Sequence, residues 1–143
     1  MQNDAGDPGR NGVKQKVINP WTWQDPFAFV QGKEISGHSR VLFIAGQASV
    51  DADGKLLHPD DMRAQMGQAL DNLETVLRAA GMDLSNVVRL SYFTTDVDRF
   101  FKEHDVIIDR LNKAGCKSVG SLLGVSRLAF PGLLVEMEAT AVS

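Results

Sequence analysis

Two glutamates, one histidine and a group of aromatic residues carry the side chains in this sequence that could move a proton or grip a small molecule. Glu136 and Glu138 stand two apart in VEMEATAV, between Val135, Met137 and Ala139. A strand sends residues two apart to the same face. Both carboxylates therefore share one face and the apolar residues share the other. That pattern fits a solvated strand face, and it also fits a carboxylate at a cleft that positions or deprotonates a water. His104 follows Phe101 by three and precedes Ile108 by four, on the apolar face of a helical stretch. A histidine so placed is commonly a packed core residue; at the border of a pocket, an imidazole suits proton transfer. Trp21, Trp23, Phe27 and Phe29 fall on one parity of NPWTWQDPFAFV, as a packing face or as an aromatic wall of the kind that lines small-molecule pockets. Arg127 offers an anion contact or a surface ion pair. Standard signatures are missing: no Gly-x-Gly-x-x-Gly, no Walker loop, no His-Glu-x-x-His, no Gly-x-Ser-x-Gly and no paired cysteines. His38, His58 and His104 are too scattered to argue for a metal, and no metal or cofactor is expected.

These side chains need a sheet and helices to hold them. RVLFIAGQASVD is a nearly continuous apolar run and reads as a buried strand. Pro59, Asp60 and Asp61 give a helix start and Gly81 a stop, with Met62, Met66, Leu70, Leu73 and Leu77 at helical spacing between them. NVVRLSYFTT is rich in β-branched and aromatic residues and reads as a strand. A second helix is expected from Asp96 or Asp98 to Gly115, and two closing strands surround the Pro131-Gly132 turn. The aromatic stretch after Asn19 reads as a strand or extended edge. The order is β-β-α-β-α-β-β, an α/β protein in which two helices cover one face of a mixed β-sheet. The other face would need cover, so self-association is expected.

Composition narrows the class. The chain has 143 residues, 43% of them hydrophobic and 23% charged, which suits one domain with a real core. The polar, Gly-rich start sets residues 1–18 apart as a disordered arm, leaving a single domain over 19–143. A formal net charge of -3 without a basic patch argues against nucleic acid as a partner. The single cysteine, Cys116, excludes an intrachain disulfide and fits a reducing cytoplasm. No apolar run is long enough to span a bilayer.

Four segments go further: FVQGKEISG, VLFIAGQASVD, ALDNLETVLRAAGMDLSNVVRLSYFTTDVDRF and SRLAFPGLLVEMEATAV. Together, from about Phe27 to Val142, the chain resembles the reactive intermediate deaminase family (Rid, or YjgF-like). The resemblance implies a chorismate-mutase-like α/β fold and a homotrimer with small-molecule pockets between subunits. It also implies cofactor-independent hydrolysis of imines and enamines to ketones and ammonia. Carried over by position, the water-holding glutamate of the family's last strand matches Glu136, and Glu138 is its structural neighbour. The pocket glycine matches Gly46. His104 stands where an asparagine is common, and Phe29 where a tyrosine is common.

The main departure lies in the first closing strand. Deaminating members carry an arginine there that grips the substrate carboxylate, and the matching position is Gly120, or Ser121 with a one-residue shift. A neutral residue cannot replace a guanidinium clamp. The resemblance therefore implies a pocket made apolar by Phe29 and Leu122, taking an imine or enamine that is not a typical 2-imino acid. The alternatives are a non-catalytic ligand-binding or interaction protein of the same fold and, against the charge balance, a ribonuclease.

Overall fold

The structure is a computed structural model that describes residues 12–143. A first hairpin pairs β1 (Lys14–Ile18) antiparallel to β2 (Gly32–Ser36). This corrects the expected arm boundary, because Lys14–Ile18 is strand; residues 1–11 lie outside the described residues. Its burial pattern is almost wholly exposed, so backbone pairing rather than side-chain burial holds β1, and composition alone hides it. The aromatic stretch between the two strands is not a strand either. It holds a short 3-10 turn, Asp25–Phe27, that ends on Ala28 in a left-handed conformation (φ 57°). Pro20 and Pro26 lack the N–H that a ladder needs, so their presence favours this turn.

The main sheet has four strands in the order β3 (Val41–Ala48), β6 (Val135–Val142), β4 (Val87–Thr94) and β5 (Leu122–Gly124). The β3/β6 and β6/β4 pairs are antiparallel, and the β4/β5 pair is parallel. The sheet is thus mixed, as expected. Helix α1 (Met62–Ala79) lies across it and buries Met62, Met66, Ala69, Leu70, Leu73 and Leu77 completely. Each large side chain so buried contributes about 1.5–3 kcal/mol of transfer free energy. Asp61 caps the helix by accepting from the Ala64 N–H at 3.0 Å. The facing residues Val135, Met137, Ala139 and Ala141 of β6 complete this core. Buried Gln65 ties the helix to the approach of β6: its amide donates to Gly132 O (2.8 Å) and its oxygen accepts from Leu134 N–H (2.8 Å).

The expected second helix is two. Helix α2 (Val97–Glu103), capped by Asp96, stops at His104, and α3 (Asp105–Lys113) begins there. The His104 side chain bonds the Phe101 carbonyl, Nδ1 to O 2.8 Å. A side chain that takes up a carbonyl of the preceding turn competes with the helical ladder. Among the described residues, helices cover one sheet face only. On the other face the register groups Glu136 with Ala48 and Phe93, Glu138 with Ser91, and Thr140 with Phe43. Phe43 is 80% exposed there and Leu123 48%. No helix of the described chain is long and apolar enough to cross a membrane.

Candidate functional site

On the helix side, a cavity of about 260 Å³ opens between the edge of the sheet, α2, α3 and the aromatic loop. Each wall has a local cause. The loop wall carries Trp23, Phe27, Ala28 and Phe29. It is pinned to the chain beside β5 by the Val30 N–H, which donates to Ser118 O at 3.0 Å, and by the Phe29–Ser118 bridge. Left-handed Ala28 reverses the chain so that Phe27 and Phe29 both reach the cavity, a conformation that non-glycine residues adopt rarely. The helix wall carries Phe100, Phe101, His104, Ile107 and Ile108. The sheet wall carries Leu90 and Tyr92 of β4, with Ser118, Gly120, Ser121 and Leu122 alongside. Tyr92 and Leu122 are direct partners in the parallel pair, so both point to the same side.

Among the described residues, no side chain in this lining is a carboxylate, a lysine or an arginine. Burial pushes the Tyr92 phenol far above its ordinary range, so it stays neutral. The strongest polar feature is His104. Its ring lies between Phe27 (centroids 6.2 Å apart) and Phe100 (5.8 Å), both nearly parallel to it, with Phe101 edge-on at 5.5 Å. The Phe101 carbonyl can only accept, so Nδ1 carries the proton of that bond. In the neutral ring, Nε2 is then an acceptor, and it is buried without a partner among the described residues. An unfilled buried acceptor is uncommon in proteins and costs about 1–3 kcal/mol.

Gly120 is fixed by the backbone packed against it. A Cβ built there would lie 1.8 Å from Leu90 O and 2.7 Å from the carbonyl carbon. The backbone on both sides of it is bonded to β4, Leu90 N–H to Val119 O and Tyr92 N–H to Ser121 O, both at 2.8 Å. The strand edge closes onto β4 over the glycine and leaves no room for any side chain.

Five of the residues named from sequence, Phe29, His104, Gly120, Ser121 and Leu122, thus meet around one cavity. The other two meet elsewhere. A Cβ on Gly46 would stand 1.8 Å from Glu136 Oε1, so the carboxyl of Glu136 rests against the glycine. A break in the β3/β6 register between Ile44 and Gln47 sets Gly46 in this position. Glu136 pairs with Phe93, whereas Tyr92 of the cavity pairs with buried Met137. Within one protomer, Glu136 and Gly46 therefore lie on the opposite sheet face from His104. Glu138, the exposed in-phase neighbour, opposes Ser91. Sequence reasoning missed Tyr92, Phe100 and Phe101 as cavity residues, having read them as strand or core; their signal was an aromatic cluster split between two segments. Trp23 lines the cavity rim, and Trp21 does not.

Comparison with known proteins places this geometry. The sequence model of the family described as Endoribonuclease L-PSP matches residues 27–143. The chain is 31% identical over 133 residues to the mouse protein named 2-iminobutanoate/2-iminopropanoate deaminase, covering 92% of this chain and 94% of that one. It is 32% identical over 100 residues to a RutC family protein of Pyrococcus horikoshii, covering 70% and 77%. Among solved structures, a protein of the conserved Rid family from Yersinia pestis superposes with a TM-score of 0.78 at 36% identity, covering 90% of this chain and 98% of that one.

Proposed function

Because the chain belongs to the endoribonuclease L-PSP family, which includes the Rid proteins, we propose that it binds a reactive imine or enamine without an α-carboxylate and hydrolyses its C=N bond without a cofactor. Some relatives are named imine deaminases, which supports the reaction class. The observation that carries the reading is the uncharged cavity closed over Gly120. A carboxylate entering it would lose its water and meet no cation, a desolvation cost of several kcal/mol.

In the proposed reaction, water oxygen bonds to the imine carbon while the Glu136 carboxylate takes a proton from that water. That proton passes to the imine nitrogen and gives the carbinolamine; its nitrogen then takes a second proton while the carbinolamine hydroxyl loses one, the C–N bond breaks with its electron pair on nitrogen, and C=O forms as ammonia leaves. The net change is imine plus water to ketone plus ammonia. Glu136 holds the water in the reading by resemblance. Since Glu136 faces away from His104 in its own protomer, the two act on one molecule across a subunit boundary of the proposed trimer. The test is ammonia release from 2-iminobutyrate or 2-aminoacrylate generated in situ, beside an uncharged imine. The uncharged imine should be hydrolysed with kcat/KM at least tenfold above the carboxylated ones, and Glu136→Gln should abolish turnover. Brisk hydrolysis of the carboxylated imines, or an undiminished Glu136→Gln variant, would sink the proposal.

A second reading is a non-catalytic ligand-binding protein of the same fold. The separation of Glu136 and His104 by the sheet favours it. Its mark is saturable thermal stabilisation by a small molecule with no turnover in a broad imine screen. Binding of RNA has no comparable support, given the net charge of -3 and a cavity without cations.

A further inference from the structure

We infer that the cavity recognises its ligand through an N–H donated to His104 Nε2, and that the ligand is an N-unsubstituted imine, or its enamine tautomer, on an aromatic or similarly flat apolar body. This inference rests on the imine reading above and narrows it to a class. Three observations carry it. First, Nε2 is a buried acceptor with no partner among the described residues, and its tautomer is set by the Nδ1 bond to the Phe101 carbonyl. A ligand that donates a hydrogen fills this one unmet need. An N-substituted neutral imine has no N–H, and a ketone or a carboxylate has no donor at all. Second, the space around the imidazole is bounded by the rings of Phe27, Phe29, Tyr92, Phe100 and Phe101. Aromatic rings gain from offset or edge contact with a flat partner beyond simple area burial. Third, the cavity of about 260 Å³ is of the size that takes a small ligand.

Stable probes of one shape separate the terms. Benzamide carries an N–H donor and no charge, acetophenone has neither donor nor charge, and benzoate has a charge and no donor. Dissociation constants are measured by calorimetry on the full chain. Benzamide is expected to bind three- to tenfold more tightly than acetophenone, the effect of one hydrogen bond, and benzoate at least tenfold more weakly than acetophenone. His104→Leu should remove the benzamide advantage and leave acetophenone unchanged, while His104→Gln, whose amide oxygen can accept, should restore part of it. Circular dichroism of each variant checks that it is folded. Equal binding of benzamide and acetophenone, or a preference that survives His104→Leu, overturns the donor assignment while leaving imine hydrolysis to its own assay. Tightest binding by benzoate overturns both. Failure of all three probes alongside turnover of an uncharged aliphatic imine overturns the flat-body assignment alone.

Discussion

Alanine at position 120 tests whether the backbone packing around Gly120 excludes any side chain there. The added Cβ would sit 1.8 Å from Leu90 O, and an ordinary carbon–oxygen contact needs about 3.3 Å. The edge strand must therefore move by about 1.5 Å. The bonds on either side, Leu90 N–H to Val119 O and Tyr92 N–H to Ser121 O, are both 2.8 Å long, and a shift of that size takes both beyond bonding distance. At about 1 kcal/mol for each bond, with some strain in the displaced wall, Gly120→Ala should cost about 2–3 kcal/mol. For a domain of this size that corresponds to a fall in Tm of about 8–12 °C. Gly120→Arg should cost at least as much and should not yield a carboxylate-binding site. Ser121→Ala, at an exposed neighbour, should stay within about 0.5 kcal/mol and serves as the control. Thermal unfolding by circular dichroism at one protein concentration reads all three. A Gly120→Ala variant within about 2 °C of the parent would refute the packing argument. A stable Gly120→Arg variant that hydrolyses carboxylated imines would refute it more sharply.

Three further outcomes are expected. Gly46→Ala should displace the Glu136 carboxyl, whose Oε1 lies where the new methyl would go; turnover should drop at least tenfold with a stability loss of no more than about 1 kcal/mol, and unchanged kcat/KM would remove Glu136 from the mechanism. Burial pushes the Cys116 thiol up to about 11 from 9.0. The fold therefore favours the neutral thiol, and its contribution is complete below about pH 9 and lost as pH rises through about 11. Urea midpoints measured from pH 8 to 11 should fall less steeply for Cys116→Ala than for the parent; identical slopes would contradict the assignment. Phe43→Lys places a charge on the open sheet face, where Phe43 is 80% exposed, and should shift the protein towards monomer by light scattering at micromolar concentration. A parent that is itself monomeric there would contradict the interface model.

Local pattern made much of this protein legible. The stripe from Met62 to Leu77 became α1, with its core side chains fully buried. The alternation in VEMEAT put Glu136 and Glu138 on one face and Val135, Met137 and Ala139 in the core. Both signals depend on the periods of helix and strand, which belong to a few consecutive residues. The β1 strand was hidden because its pairing uses backbone groups that every sequence has. The break at His104 was hidden because a histidine carries no fixed helix-stop signal, and its bond to Phe101 O becomes apparent only with the ring placed.

The family, and Glu136, His104 and Gly120 as candidate residues, were within reach of the sequence alone, because residue type and order carry them. Which of those residues share a cavity was not. That depends on which sheet face the helices cover and on how closely the edge strand approaches β4. Both follow from packing among segments far apart in the chain. Tertiary structure therefore decided that Phe29 and His104 meet over Gly120 while Glu136 and Gly46 meet behind the sheet.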